Sequence, residues 1–249
     1  MEELYVVGRN PVLELLKTEK QIDKIYILKG DLKGSIKKII GVAKDKGIII
    51  QEVDKRKLDE ISEGEVHQGV AAFVTGFEYS TLEDILKKAE SLNEAPFVVI
   101  LDEIEDPHNL GAIIRTCECA GVHGVIIPKR RSARVNQTVY KASAGAVNHV
   151  LVSNVTNISN TIETLKEKGL WIYGADLKGE NYYYNESLKG AIGLVIGNEG
   201  KGISRLVSEK CDVLIKIPMF GNVSSLNAST SAAILIYEVV RQKDEKKKS

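Results

Sequence analysis

The strongest constraint on the fold lies in the last fifth of the chain, between residues 191 and 240. Two short apolar runs there, Ile192–Ile196 and Val213–Ile217, have the length and β-branched content of buried strands. Each run ends in a polar loop that contains glycine, and a long helix is predicted after the second loop, from about Leu226 to Arg241. Because parallel strands deliver such loops to one edge of a sheet, we expect a pocket at the carboxyl ends of these strands.

The two loops do not match known phosphate-binding motifs. The first, Gly197–Gly202 (GNEGKG), has neither the G-x-G-x-x-G spacing nor the G-x-x-x-x-G-K-[ST] spacing. Glycine after a buried strand lets a ligand approach the backbone, so Gly197 is expected to face a ligand, with a plain turn as the alternative. In the second loop Ser224, Ser225 and Asn227 either cap the next helix or hold a ligand.

The rest of the chain alternates predicted strands and helices, which indicates an α/β protein. Residues 1–76 form one small unit, residues 77–95 a linker with one polar helix, and residues 96–249 a second domain. The second domain is expected to contain a largely parallel sheet covered on both faces. Its six predicted strands are Phe97–Leu101, Val125–Ile127, His149–Val152, Leu170–Tyr173, Ile192–Ile196 and Val213–Ile217.

Charge is balanced overall but uneven along the chain. With 34 basic and 34 acidic residues, net charge alone indicates no nucleic-acid partner. The 44 residues between Glu118 and Glu163, however, contain no carboxylate. This local excess of positive charge favours contacts with nucleic-acid phosphates over the alternative of an exposed basic loop. The cations concerned are Lys129, Arg130, Arg131, Arg134 and Lys141.

Several other classes of function are disfavoured. The acidic segment Asp102–Asp106 lacks the spacing of a calcium loop, and a G-x-S-x-G nucleophile motif is absent, so neither a metal site nor a serine hydrolase is expected. Three cysteines without CxxC spacing favour reduced thiols in the cytoplasm. No signal peptide and no membrane span are predicted. Tyr182–Tyr184 is expected in a loop, where it could stack on bases or form an ordinary surface.

The segment after Phe97–Leu101 contains a further candidate site. Its acidic loop leads into a helix for which Asn109 is the predicted N-cap. Arg115 is expected in the second turn of this helix, with Ile113, Ile114 and Cys117 around it. An arginine among apolar neighbours usually has a definite partner.

Three segments together resemble one known family. Asn109–Arg115 (NLGAIIR), Gly197–Gly202 and Ile217–Ser229 (IPMFGNVSSLNAS) are similar, in order and spacing, to the three motifs of the SpoU-type, TrmH-like RNA 2′-O-ribose methyltransferases of the SPOUT class. This resemblance covers Pro96 to Arg241. Residues 1–76 resemble the L30-like RNA-binding domain of the rRNA subgroup. The nearest likeness is to bacterial enzymes that methylate a guanosine ribose in 23S ribosomal RNA.

The resemblance implies a fold, a cofactor and a set of site residues. The second domain is expected to contain a deep trefoil knot, to form a homodimer and to bind S-adenosylmethionine. Arg115 is expected to activate the ribose 2′-hydroxyl, either as a base or as a cation that stabilises the developing alkoxide. The implied catalytic residues are Asn109, Arg115, Glu199, Ser225 and Asn227, and the implied cofactor-binding residues are Ile196, Gly197, Ile217, Met219 and Leu226.

Three other functions remain as alternatives. The target could be a tRNA or another rRNA nucleotide, the protein could be a non-catalytic RNA-binding ribosome-assembly factor, or it could be a nucleotide-dependent α/β enzyme. The missing phosphate motifs disfavour the last, and the joint presence of Asn109, Arg115, Glu199 and Asn227 disfavours a pure binder. If residues 1–76 select the RNA, a fragment starting near Ser91 is expected to fold and to bind the cofactor.

Overall fold

A computed structural model describes residues 4–18, 20, 22–30, 34–74, 77–222 and 225–248. Ser224, one of the predicted loop residues, lies outside this part of the chain. The strands are β1 (Leu4–Val7), β2 (Ile22–Leu28), β3 (Ile49–Val53), β4 (Val70–Val74), β5 (Phe97–Leu101), β6 (Gly124–Pro128), β7 (Leu151–Val155), β8 (Trp171–Ala175), β9 (Asn181–Tyr182), β10 (Ile192–Ile196) and β11 (Val213–Lys216). The α-helices are α1 (Arg9–Leu16), α2 (Ser35–Asp45), α3 (Lys55–Ile61), α4 (Leu82–Ser91), α5 (Pro107–Cys119), α6 (Gln137–Ala142), α7 (Ile158–Glu167), α8 (Arg205–Ser208) and α9 (Ala228–Lys248). Two short 3-10 helices cover Ala146–Asn148 and Tyr183–Asn185. None of the described helices has the length and apolar character needed to cross a bilayer.

The chain forms two compact units whose boundaries differ from the predicted domains. The first contains residues 1–78 together with residues 134–149, and the second contains residues 79–133 and 150–249. Segment 134–149 was expected in the second domain, but it packs within the first unit. Helix α4, expected in a linker, belongs to the second unit, where its Ile85 is part of the buried core.

The first unit is built on a four-stranded mixed sheet in the order β1-β4-β2-β3. Strand β4 is antiparallel to both β1 and β2, while β2 and β3 are parallel. Leu58 and Ile61 of α3 pack in a buried cluster with Val7 and Ala71 of the sheet. His67 is buried, and its Nδ1 accepts a hydrogen bond from the backbone N–H of Gly69 (2.9 Å).

Segment 134–149 is tied into the first unit by both apolar and polar contacts. Val139 and Tyr140 of α6 are buried, and the Tyr140 ring meets the edge of the Phe77 ring. The Gln137 side-chain amide donates to the carbonyl of Ser62 (3.1 Å), and Lys141 Nζ lies 2.9 Å from Glu65 Oε2. Residues distant in sequence therefore complete one core.

The second unit is built on a seven-stranded sheet in the order β7-β6-β5-β10-β8-β11-β9. Every pair of neighbouring strands is parallel, which confirms the predicted α/β class and parallel sheet. The central strands β5 and β10 are buried along their whole length, as their continuous apolar sequences predict. Strand β9 was not predicted, because a strand of two residues is too short to show an alternating pattern. It pairs only with β11.

The predicted start of α5 is wrong by a few residues. The side chain of Asp106, not that of Asn109, caps α5 by accepting from the backbone N–H of His108 (2.9 Å), and Pro107 takes the first helical position. The helix therefore begins earlier than predicted, and Asn109 is a buried residue of its first turn.

Gly197 is required by the packing of its own loop. A Cβ atom at this position would lie 2.2 Å from the carbonyl carbon of Gly202 and 2.3 Å from the nitrogen of Ile203. The loop folds back so closely because Asn198 and Gly202 form an antiparallel bridge with backbone hydrogen bonds of 3.0 and 2.8 Å. A side chain at position 197 would therefore enter the space of its own loop.

We expect Gly197→Ala to destabilise the fold itself. Its Cβ would collide with backbone atoms, so the melting temperature should fall by about 5 to 10 °C in a thermal unfolding experiment. Gly200→Ala is the matched control, because a Cβ there would meet only Asn198 Oδ1 at 3.7 Å. A Gly197→Ala protein that melts like the wild type and loses only ligand binding would contradict this assignment.

Candidate active site

One cavity lies at the carboxyl ends of β8, β10 and β11. Its volume is about 360 Å³, within the range of small-molecule sites. All five predicted cofactor-binding residues line it: Ile196, Gly197, Ile217, Met219 and Leu226. Two residues of the predicted catalytic set, Glu199 and Ser225, line it as well. The sequence therefore correctly predicted the place and much of the wall of this pocket.

The cavity wall also contains polar residues that sequence reasoning missed. Asp176 and Lys178 follow β8 and line the pocket beside the two predicted loops. Asp176 Oδ1 accepts from the backbone N–H of Lys178 (2.8 Å), which fixes the turn after the strand. The signal was available, because any parallel strand next to β10 also ends at this edge of the sheet.

A three-residue hydrogen-bond network joins the three predicted motifs. Asn109 Nδ2 donates to Glu199 Oε1 (2.6 Å), and Asn227 Nδ2 donates both to Glu199 Oε1 and to Asn109 Oδ1 (3.0 Å). The backbone N–H of Ala228 also donates to Glu199 Oε1 (3.2 Å). Residues from α5, from the loop after β10 and from the start of α9 are thus held together by one carboxylate oxygen.

Asn227 is both a helix cap and a member of this network. Its Oδ1 accepts from the backbone N–H of Ser229 (2.9 Å) and from that of Thr230 (3.4 Å) at the start of α9. Its Nδ2 remains available for Glu199 and Asn109. The carboxylate of Glu199 also lies where a helix N-terminus favours negative charge. The predicted capping role is therefore present in Asn227, and its amide group in addition joins the network with Glu199 and Asn109.

The acidic segment after β5 holds loops in place. The buried carboxylate of Asp102 accepts from the backbone N–H of Ser204 (2.7 Å). Asn198 Nδ2 donates to the carbonyl of Glu103 (3.1 Å), a residue with a left-handed backbone (φ 56°). Among the described residues, no group of three or more His, Cys, Asp and Glu side chains could hold a metal ion.

Arg115 does not line the cavity. It is exposed on α5, and within the described chain it makes no hydrogen bond or ion pair. The expected partner is therefore missing, because Ile113, Ile114 and Cys117 lie on the buried face of the helix while Arg115 points away from them.

The five predicted RNA-binding cations fall in two units. Lys129, Arg130 and Arg131 follow β6 in the second unit, whereas Arg134 and Lys141 belong to the first. Arg131 lies 3.2 Å from Glu103 Oε1, and Lys141 is paired with Glu65. Lys129, Arg130 and Arg134 are exposed and form no ion pair with the described residues.

The two more buried cysteines are unsuited to nucleophilic chemistry. Burial raises the pKa of the Cys211 thiol to about 12, and the nearby carboxylate of Asp212 adds to this effect. Burial also raises the pKa of the fully buried Cys117 thiol far above its usual value. Both thiols stay protonated at neutral pH, which makes covalent catalysis through them unfavourable.

Comparison with known proteins places this site in a family. The model of the SpoU rRNA methylase family matches residues 96–237, and the model of the RNA 2′-O-ribose methyltransferase substrate-binding domain matches residues 5–80. A Bacillus subtilis protein assigned by name to the TrmH family of tRNA/rRNA methyltransferases, YacO, is 48% identical over 240 residues, covering 96% of each chain. A Staphylococcus saprophyticus protein assigned to the same family is 47% identical over 244 residues, covering 98% of each chain.

Solved structures have the same fold at lower identity. The SpoU methyltransferase AviRb from Streptomyces viridochromogenes, in complex with AdoMet, superposes with a TM-score of 0.82 at 22% identity, covering 98% of this chain and 91% of that one. An AdoMet-bound rRNA methyltransferase from Sinorhizobium meliloti gives a TM-score of 0.80 at 23% identity, covering 96% and 87%. With both family models and full-length relatives in agreement, the chain belongs to the SpoU family of RNA 2′-O-ribose methyltransferases.

Proposed function

We propose that this protein transfers a methyl group from S-adenosylmethionine to the 2′-hydroxyl of a guanosine ribose in 23S ribosomal RNA. The observation that carries the proposal is the cavity at the carboxyl ends of β8, β10 and β11, whose wall contains all five predicted cofactor-binding residues. The Asn109–Glu199–Asn227 network joins this cavity to α5. A family of RNA 2′-O-ribose methyltransferases provides the reaction class.

The residues of the cavity fit this cofactor chemically. Ile196, Ile217 and Leu226 offer apolar surface to an adenine ring, and the backbone groups of Gly197, Ile217 and Leu226 are the proposed hydrogen-bond partners of the adenosine. The carboxylate of Asp176 suits a positively charged ligand. When bound, the cofactor supplies an electrophilic methyl group on a sulfonium.

The chain's own contribution is to position the ribose and to assist loss of its proton. Asn109, Glu199 and Asn227 fix the geometry of the loops, and Ser225 contributes a hydroxyl to the cavity wall. Arg115 is the proposed activating group, because an exposed guanidinium without a protein partner can bind a phosphate or steady an alkoxide.

The proposed division of labour assigns RNA selection to the N-terminal domain. Residues 5–80 match a substrate-binding family, and the exposed cations Lys129, Arg130 and Arg134 supply phosphate contacts. A tRNA target is the second candidate, since the relatives are named for tRNA and rRNA alike.

The remaining architecture is also a proposal. We infer an L30-like fold for the N-terminal domain, a deep trefoil knot in which the loop after β11 passes behind the loop after β10, and a homodimer. The resemblance of the three motifs supports each of these. A cytoplasmic location is supported by the three cysteines, all of which are free.

The function is tested by methyl transfer. Purified protein is incubated with tritiated S-adenosylmethionine and either undermethylated 23S rRNA or bulk tRNA, and the modified nucleotide is then mapped. We expect a single 2′-O-methylguanosine in 23S rRNA. Label found only in tRNA would favour the second candidate target. The absence of label from every RNA would contradict the proposed methyltransferase activity.

Arg115→Ala is expected to lower methyl transfer by at least about a hundredfold, the typical contribution of a group that assists proton transfer. Cofactor affinity measured by calorimetry should stay unchanged, because Arg115 does not line the cavity. Glu118→Ala, an exposed residue of the same helix, is the control. Turnover of Arg115→Ala within a few-fold of the wild type would exclude the assigned role.

Neutralising Lys129 and Arg130 to Gln should weaken the binding of all RNAs alike. The slope of log affinity against log salt should decrease by about 1.4 to 1.8, since each lost phosphate contact removes about 0.7 to 0.9. Lys166→Gln with Lys210→Gln is the matched control, because these lysines already pair with Asp212 and Glu163. An equal change of slope in both pairs would show only a general effect of net charge.

A further inference from the structure

Three consecutive tyrosines form an exposed aromatic cluster next to the cavity. The rings of Tyr182 and Tyr184 are stacked, with centroids 5.5 Å apart and an interplanar angle of 21°. Tyr183 meets the Tyr184 ring edge-on, with centroids 5.1 Å apart. Tyr182 is 37% exposed and Tyr184 is 47% exposed, so much aromatic surface faces solvent. The expected loop is in fact a short strand followed by a 3-10 helix.

Strand pairing and hydrogen bonds hold the chain on both sides of the tyrosine cluster. Strand β9 pairs with β11, which places Tyr182 opposite Lys216. Asn181 Nδ2 donates to Glu186 Oε1 (2.6 Å), and the Gln242 side chain donates to the carbonyl of Glu186 (3.0 Å). Gln242 also accepts from the backbone N–H of Leu188 (2.8 Å). A ligand of this surface therefore meets rings that are already in place, which lowers the entropic cost of binding.

A cation connects the tyrosine cluster to the cavity. Lys216 lines the cavity, and its Nζ lies 5.2 Å from the centroid of the Tyr182 ring. Lys178, from the turn before β9, is exposed and lines the same cavity. Exposed aromatic rings beside lysines are the combination that single-stranded nucleic acids bind, by base stacking and phosphate attraction.

We propose that Tyr182 and Tyr184 hold an unpaired nucleobase of the RNA, next to the nucleotide whose ribose enters the site, while Lys216 contacts its phosphate. The inference rests on the proposed function, because it deepens the recognition of the same RNA. The lysines favour a polyanion over an apolar protein surface, and stacking tolerates any base, so the tyrosine cluster recognises unpaired RNA rather than a particular sequence.

The test compares two RNA probes of equal length, a hairpin with an unpaired loop and a blunt duplex, by fluorescence anisotropy with the full-length protein. Tyr182→Leu and Tyr184→Leu, measured separately, should each weaken hairpin binding on the order of tenfold and duplex binding by less than about twofold. Tyr184→Phe should bind like the wild type, because it keeps the ring. Trp171→Leu is the matched control, because this exposed aromatic residue lies at the amino end of β8, whereas the cavity lies at the carboxyl ends of the strands.

Hairpin affinity that is unchanged in both leucine variants would overturn the inference, as would an equal loss for hairpin and duplex. A change of molecular mass by light scattering without a change in hairpin affinity would assign the tyrosine cluster to an interface between copies, and would overturn it too. Calorimetry with S-adenosylmethionine verifies that each variant is folded. Wild-type protein that binds hairpins through these tyrosines but methylates no RNA would contradict the proposed function alone.

Discussion

One carboxylate oxygen, Oε1 of Glu199, holds together the three segments on which the site depends. It accepts N–H groups from Asn109 on α5 and from Asn227 and Ala228 at the start of α9. Hydrogen bonds to a charged acceptor are about twice as strong as those between neutral groups. Asn109 is only 9% exposed, so water could not readily replace Glu199 as the partner of its side-chain amide. A buried donor left without a partner costs about 1 to 3 kcal/mol. The network therefore stabilises one arrangement of these three segments.

The parallel sheet explains why these segments can meet at all. Strands β5, β10, β8 and β11 are neighbours, so the segments that follow them emerge at the same edge although they are separated by up to about a hundred residues. Buried strands fix where each loop starts, and the short contacts within the loops fix how each one turns. Asp102, Asn198 and Glu103 connect the loop after β5 to the loop after β10. Residues of the acidic segment after β5 thus hold the neighbouring loop in place through hydrogen bonds.

Much of this could be predicted from the sequence, because continuous apolar runs such as Ile192–Ile196 and Phe97–Leu101 have few alternatives to a buried parallel strand. What could not be predicted depends on distant neighbours. The need for glycine at position 197 arises from the approach of Gly202 and Ile203, and the exposure of Arg115 depends on which helix face meets the sheet. The cap of α5 was misjudged because Asp106 and Asn109 both have side chains suited to capping, and only the structure shows which one accepts a backbone N–H.

The path of the chain also limits how far the two units can be treated as independent parts. In the sequence, segment 134–149 lies between the two parts of the second unit. In the structure it belongs to the first unit, where its Val139 and Tyr140 are buried. A fragment that starts near Ser91 would keep this segment but lose residues 1–78, and would expose those two side chains to water. At about 25 cal/mol per Å² of apolar surface, an uncovered valine and tyrosine cost several kcal/mol and favour aggregation. The expected self-sufficient fragment therefore conflicts with the structure. RNA selection and methyl transfer are better separated by point substitutions in the whole chain, where both cores remain closed.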